Sequence, residues 1–324
     1  MANLLGVTMG DSSGIGPEVL LKAFREGPIR QPVVVFGDLE ILERYNEMLA
    51  YGVALRKIAG VREVREGFLN VLDQGLLRRE DLAIGKLSAK SGAAARAYVV
   101  AATRAALAGE IAALVTLPLN KEATQLSDLG FTGHTELIGA LCGVGDVTIM
   151  LVSDQLIVTH VSTHVSLAEA IARVKKERIC AIIRLTCEAV SRLRENPRIA
   201  VAGLNPHAGE NGLFGQEEIR EIRPAVEWAQ SQGLPVEGPF SPDTLFYLAV
   251  RKKKYDAIVC MHHDQGHVPL KLLDFEGAVN VTLGLPIVRT SVDHGTAFDI
   301  AGQGAASPAS FLRALELAAS LAGP

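Results

Sequence analysis

Short apolar runs alternate along the chain with longer stretches in which apolar residues recur every three or four positions. LLGVTM (4–9) has the first pattern and predicts a buried strand. Pro17 then suits the first turn of a helix through PEVLLKAFRE. VVVFG (33–37) and IAALVTL (111–117) predict two further buried strands. Between them, SGAAARAYVVAATRAALAG predicts an alanine-rich helix stopping at Gly109. VTIML and QLIVTHV flank a Ser-Asp turn and predict a hairpin. Ser166 and Glu169 have the spacing of a capping box for the next helix. RIAVAGL, a helix near 216–233, and DAIVCM continue the alternation. Strands interleaved with helices define an α/β protein with a mostly parallel sheet.

Composition narrows the class. A chain of 324 residues suggests two lobes, at roughly 150 residues per domain. Apolar residues make up 48% and charged residues 21%, enough to bury sizeable cores. Net charge is −4, and the densest basic run, Arg251–Lys254, reads as a solvated helix end, so no nucleic-acid partner is expected. The opening MANLLGVTMGD has no basic segment followed by a long apolar core, and no signal peptide is read there. Arg96, Arg104 and Glu110 interrupt the apolar stretch 93–119, so no membrane span is expected. Four cysteines form no CxxC pair, and Cys180 and Cys187 share a helical spacing that makes them core neighbours. Reduced thiols fit the cytoplasm.

The histidines carry the candidate chemistry. Three of the eight fall within MHHDQGHVPLK (261–271). His164, His207 and His263 each follow an apolar, strand-like run and precede a polar or glycine-rich stretch. Ligands of open α/β sheets bind beyond the carboxyl ends of strands. Three strands delivering one imidazole each would build an open metal site, with a position left for water or substrate. Ordinary loop histidines are the other reading, since no compact ligand motif such as HExxH is present. On a continuous strand His160 and His164 would lie about 13 Å apart, at about 3.3 Å per residue, and would not share an ion. His262 and His263 are adjacent and would point to opposite faces, so the cluster is expected to supply one ligand.

GDSSG (10–14) matches G-x-S-x-G between a strand and a helix. A nucleophile elbow needs earlier strands to build its oxyanion hole, and only one precedes Ser12. A glycine-rich turn facing an anion at the helix start is the stronger reading; a tight turn without ligand is the other. No GxGxxG or GxxxxGK[ST] occurs, so no dinucleotide fingerprint of the common kind is present.

Longer segments resemble the 4-hydroxythreonine-4-phosphate dehydrogenases of pyridoxal phosphate biosynthesis. They are GDSSGIGPE (10–18), TLPLNKEA (116–123), GHTE (133–136), STHVSL (162–167), GLNPHAGENGLFGQEE (203–218), PDTLF (242–246), HDQG (263–266) and VNVTLGLPIVRTSVDHGTAFDIAG (279–302). They follow the family's order. The resemblance implies a two-lobed fold like that of isocitrate and isopropylmalate dehydrogenases, with mostly parallel sheets and a central cleft. Residues 1–128 with 280–324 would form the cofactor lobe, and 129–279 the metal and dimerisation lobe. It also implies a homodimer with a shared active site, one divalent ion (Zn, Co, Mg, Ni or Mn) on His164, His207 and His263, and NAD or NADP as cofactor. The implied reaction is oxidation and decarboxylation of 4-hydroxythreonine 4-phosphate, with substrate contacts from His134, Thr135, Lys271, Asn280 and Arg289. A cation at the substrate hydroxyl lowers its pKa, and Lys271 and Arg289 suit anionic groups. Asp243, Asp264 and Lys121 are candidates for the general base. Gly14, Gly16, Asp293 and His294 fall on the cofactor side.

Three departures stand out. Ser12-Ser13 replaces the family's usual Pro-Ala, His262 its usual Tyr, and His267 its usual Leu. The form GHxPxKL resembles a sister branch that oxidises 4-phospho-D-erythronate or 4-phospho-D-threonate, which carry a 2-hydroxyl where hydroxythreonine phosphate has a 2-amino group. An added imidazole near the site would meet that hydroxyl. Two other classes compete: a metal hydrolase, active without nicotinamide, and a non-catalytic binding protein, which binds without turnover.

Overall fold

A computed structural model describes residues 4–26, 29–275 and 277–323. Residues 1–3 of the opening segment lie outside it. The chain divides into two compact units, Met1–Asp146 with Leu285–Pro324, and Val147–Gly284. The sequence places these divisions at 128/129 and 279/280; the packing places them at 146/147 and 284/285, which puts His134 and Thr135 in the first unit.

The first unit contributes β1 (Leu5–Thr8), β2 (Val33–Gly37), β3 (Leu55–Ile58), β4 (Leu69–Asp73) and β5 (Ala113–Thr116). The second contributes β6 (Thr148–Val152), β7 (Ile157–His160), β8 (Ile199–Ala202), β9 (Val236–Phe240), β10 (Ala257–Cys260) and β11 (Val279–Leu283). β12 (Val288–Val292) returns to the first unit.

The first unit's strands run in the order β3-β4-β2-β1-β5-β12, and every described pairing among them is parallel. β1, β2 and β5 are buried along their whole length, which explains their continuous apolar runs. Burying each Val, Leu or Ile of these strands contributes roughly 1.5–3 kcal/mol. The alanine-rich helix, Ala89–Leu107, packs on β1, β2 and β5, and its Tyr98 donates a hydrogen bond to buried Asp38 at 2.5 Å. It closes at Ala108, with Gly109 in the left-handed region at φ 70°. β1 lies between β2 and β5, so the sheet's connections part there; the loops after β1 and β5 meet, the amide of Asp11 donating to the carbonyl of Pro118 at 2.9 Å.

The second unit runs β11-β6-β7-β10-β8-β9. β7, β10, β8 and β9 are parallel, while β6 is antiparallel to both β7 and β11, giving the expected hairpin. Leu151, Val158, Ala200, Ile258, Leu245 and Leu270 form its core. Ser166 caps the following helix by accepting from the Glu169 amide at 3.2 Å, but the carboxylate of Glu169 turns to Arg173 instead of completing the box. On the helix Lys176–Ser191, Cys187 is buried and Cys180 only partly so. Arg251–Lys254 follow the helix Pro242–Val250 and are exposed. Among the described residues no helix is long and apolar enough to cross a membrane.

Candidate functional site

In the second unit β7, β10 and β8 are adjacent and parallel, so their carboxyl ends lie on one edge. His164, His263 and His207 follow those three ends. The strands stop earlier than the apolar runs suggest. β7 ends at His160, where Val161 pairs with Cys260 and the chain turns at Thr163–Val165. His160 and His164 therefore do not share a strand face, and both rings neighbour His263, at 6.3 and 5.5 Å between centroids. β10 likewise ends at Cys260, so His262 is the extended residue before the helix His263–Leu273 rather than a strand residue. His262 and His263 consequently line one pocket together, contrary to the opposite-face expectation.

That pocket, of about 530 Å³, is lined by His164, His262, His263, Asp264 and further residues between 163 and 170, in the turn and the start of the helix Leu167–Ala172. His263 Nδ1 lies 2.6 Å from Asp264 Oδ1. A ring that donates Nδ1–H to a carboxylate presents Nε2 as a lone-pair donor, the usual state of a metal-binding histidine. His263 is also stacked on His267, with centroids 3.6 Å apart and planes 13° apart. His267 Nδ1 is 3.1 Å from both the His263 carbonyl and His160 Nε2, and a Cβ on Gly266 would meet His160 Nε2 at 2.5 Å. His267 is thus buried behind His263. Burial and the neighbouring imidazoles pull His267 down to about 4 and His160 down to about 3.

His207 lines a second pocket in the same unit, of about 660 Å³, with Asn205, Asp243, Phe246, Gln265 and Val268; His262 and Asp264 line both. Its ring lies 6.2 Å from that of Phe214. Asp243 is exposed, and the Ser241 hydroxyl donates to it, holding its carboxyl below the ordinary range, with His207 acting in the same direction. Hydrogen bonding to His263 does the same to Asp264. Gln265 ties the edge together: it accepts from the Met261 amide and donates to the Gly203 carbonyl, both at 2.7 Å. The donor chemistry fits a divalent cation at His164 and His263. Among the described residues no group of three or more His, Cys, Asp or Glu is arranged to hold a metal.

The first unit gathers the opposite chemistry. Asn120 caps a short helix by accepting from the Ala123 amide at 2.9 Å, which fixes Lys121 in its first turn. Lys121 Nζ and Glu136 Oε2 flank Gly133, where a Cβ would meet them at 3.6 and 2.7 Å. His134 and Thr135 open the next helix. Arg289, on β12, is buried and donates to Thr116 Oγ1 at 2.7 Å. Burial pulls Arg289 down to about 10, with Glu136 opposing, so it stays charged. Burial, Arg289 and Lys121 hold His134 well below its ordinary value. Its Nε2 is buried and has no hydrogen-bond partner among the described residues. A neutral imidazole under the influence of two cations suits an anionic, hydrogen-bonding ligand.

The remaining candidates are more scattered. In the second unit Lys271 Nζ lies 5.4 Å from the Phe275 ring centroid, and Asn280 on β11 has a buried Oδ1 without a partner among the described residues. In the first, a Cβ on Gly14 would meet the Thr296 carbonyl oxygen at 2.7 Å and one on Gly16 that of Met9 at 2.3 Å, so close backbone approach requires both glycines. Asp293 and His294 follow β12; His294 Nδ1 is 3.1 Å from the Gly295 carbonyl, and its Nε2 is buried without a partner among the described residues. Ser12 is no exposed nucleophile: it is buried, and its Oγ bonds Ser91 Oγ at 2.7 Å rather than a histidine. Ser91 in turn donates to buried Asp11.

Fold and clusters together define an α/β protein with a cationic cluster suited to an anion in one unit and an imidazole group suited to a divalent cation in the other. Residues 29–318 match the family described as PdxA, pyridoxal phosphate biosynthetic protein PdxA. The D-threonate 4-phosphate dehydrogenase of Salmonella typhimurium is 45% identical over 323 residues, covering 98% of each chain. The 4-hydroxythreonine-4-phosphate dehydrogenase of Beijerinckia indica is 44% identical over 323 residues, covering 99% of this chain and 95% of that one. The crystal structure of a 4-hydroxythreonine-4-phosphate dehydrogenase from Klebsiella pneumoniae matches with a TM-score of 0.89 at 43% identity, covering 99% of this chain and 100% of that one. The chain belongs to the PdxA family.

Proposed function

We propose that the protein is a metal-dependent, NAD(P)-linked dehydrogenase that oxidises and decarboxylates a phosphorylated four-carbon hydroxy acid. The observation that carries this reading is the Asp264-oriented His263 beside His164, at the ends of adjacent parallel strands. His164, His207 and His263 hold the cation, with the ligand set shared between two copies of the chain. When bound, the cation supplies positive charge at the substrate oxygen and NAD or NADP accepts the hydride. Arg289, Lys121, His134 and Thr135 bind the substrate's anionic groups, joined by Lys271 and Asn280. The hydroxyl proton passes to Asp243, Asp264 or Lys121; Asp264 is already engaged by His263 and Lys121 serves as a cation, which favours Asp243. Gly14, Gly16, Asp293 and His294 serve the cofactor, His294 through its buried Nε2. The isocitrate/isopropylmalate dehydrogenase-like arrangement, the homodimer and a cytoplasmic location belong to the same proposal.

The substrate is 4-hydroxythreonine 4-phosphate or 4-phospho-D-threonate, and one observation favours the second. His262, where the family usually has Tyr, lines both histidine pockets. An imidazole there meets a 2-hydroxyl better than an ammonium. His267 does not serve this purpose, since it is buried behind His263. Steady-state rates on both compounds, with each nicotinamide and with or without a chelator, test the reading. Chelator-sensitive NAD(P)H formation that is faster on the hydroxylated acid is expected. Turnover without any nicotinamide would point to a hydrolase instead, and binding without turnover to an inactive scaffold.

A further inference from the structure

His207 sits in an unusual stretch of backbone. Five consecutive residues, His207–Asn211, have φ between 42° and 76°, and only Gly209 among them lacks a side chain. Each non-glycine residue in this region costs roughly 1–2 kcal/mol. Such a turn persists only where its surroundings over-determine it.

Those surroundings converge on one side chain. Glu218 is 1% exposed. Its Oε1 accepts from the amides of Leu204 and Asn205 at 2.8 and 2.7 Å, and its Oε2 accepts from Asn205 Nδ2 at 2.9 Å. On the other side of His207, a Cβ on Gly209 would meet Glu218 Oε2 at 2.6 Å. The carboxylate therefore touches the chain on both sides of Pro206–Ala208. Two more glycines make room for the arrangement. A Cβ on Gly203 would meet Ala208 Cα at 2.9 Å and Glu218 Oε1 at 3.2 Å, and one on Gly215 would meet Asn205 Nδ2 at 2.3 Å. Asn205 Nδ2 also donates to Glu217 Oε2 at 2.7 Å. Glu218 itself opens a widened, π-helical turn, Glu218–Ile222, a feature frequent at functional sites.

We infer that Glu218 is the positioning residue of His207: its buried carboxylate fixes the left-handed turn that presents the imidazole. The inference rests on the cation-binding role proposed for His207. A flexible loop would pay the entropy of ordering when the cation binds; a turn clamped beforehand does not. Glu218 acts through the backbone and touches no reacting atom.

The test titrates Co2+ alone into the full-length chain after chelation, by calorimetry and visible absorption, for the wild type, Glu218→Gln, Glu218→Ala and His207→Ala. Circular dichroism checks the fold. Glu218→Gln keeps an oxygen for the two amides but turns a donor toward Asn205 Nδ2. It should weaken Co2+ affinity about tenfold, and Glu218→Ala up to about a hundredfold, the range seen when a ligand's supporting partner is removed. Both should change the Co2+ absorption, and kcat should fall while KM for the phosphorylated acid moves less than twofold. Affinity and absorption within twofold of wild type in Glu218→Gln would overturn the inference while His207→Ala still weakens binding. If His207→Ala binds Co2+ like the wild type, the proposed role of His207 fails and the inference falls with it. Should Glu218→Ala not fold, Glu218→Gln alone decides.

Discussion

The two units solve the same structural problem for opposite charges. The second sets its imidazoles beyond the carboxyl ends of parallel strands, whereas the first carries Arg289 within strand β12 and Lys121 in the helix that follows β5. The first uses fixed cations: Arg289 anchored by Thr116, and Lys121 beside a capped helix start. The second uses lone-pair donors: rings of His164 and His263 at 5.5 Å, with Asp264 setting the tautomer. Burial acts in both, with different consequences. In the first unit it leaves Arg289 charged but holds His134 neutral. In the second it holds the supporting rings of His160 and His267 neutral, so no imidazolium stands behind the site to repel a cation. Under the proposed function the same residue type would serve an anion site as a neutral hydrogen-bonding group and a cation site as a neutral scaffold.

Substitutions should separate the two chemistries. His263→Ala should lower kcat/KM on the order of a thousandfold or more, because a bound cation contributes several kcal/mol and each 1.36 kcal/mol is tenfold. Elemental analysis should show the metal lost; retained metal would break the assignment of the second unit. Arg289→Ala should raise KM about 10- to 100-fold, from the roughly 1.5–3 kcal/mol of a hydrogen bond to a charged group, and leave metal content unchanged. Loss of metal in Arg289→Ala would blur the division.

Acid should act on the second unit in a direction that follows from sign. A histidine whose folded pKa is depressed contributes stability that is present above the unfolded value of about 6.5 and is lost as pH falls toward the folded value. For His160, at about 3 in the fold, lowering the pH from 7 to 5 should remove about 2 kcal/mol. Denaturant unfolding of His160→Leu should show a correspondingly shallower pH dependence; equal slopes would sink the prediction. The smallest effect concerns choice of substrate. His262→Tyr should shift the ratio of kcat/KM toward the aminated acid by about tenfold or less, in keeping with the roughly 1 kcal/mol net worth of one hydrogen bond.

Much of this arrangement is legible in the amino-acid sequence, and the failures have physical causes. Continuous apolar runs such as VVVFG and IAALVTL mark buried parallel strands because both faces need cover. The positions of His164, His207 and His263 after such runs place them at strand ends. What periodicity misreads is where each strand stops. His164 and His262 look like strand residues because apolar runs lead up to them, yet the strands end at His160 and Cys260. The burial of His267 behind His263 depends on a helix starting at His263, which local pattern does not reveal. Thr116 and Gln265 lie in the family-like segments, but nothing local marks them as supports for Arg289 and for the edge of the second unit. Glu218 is harder still: its partners are 13 and 14 residues away, and only the glycines at 203, 209 and 215 hint that something must fit among them.

The central claim is that His164, His207 and His263 hold one divalent cation. Anomalous diffraction from crystals of the protein loaded with Zn or Co addresses it directly. The account predicts a single strong peak about 2.0–2.1 Å from ring nitrogens of His164 and His263, with His207 of the same or a second copy completing the set. Peaks lying elsewhere, with all three rings unliganded, would contradict it.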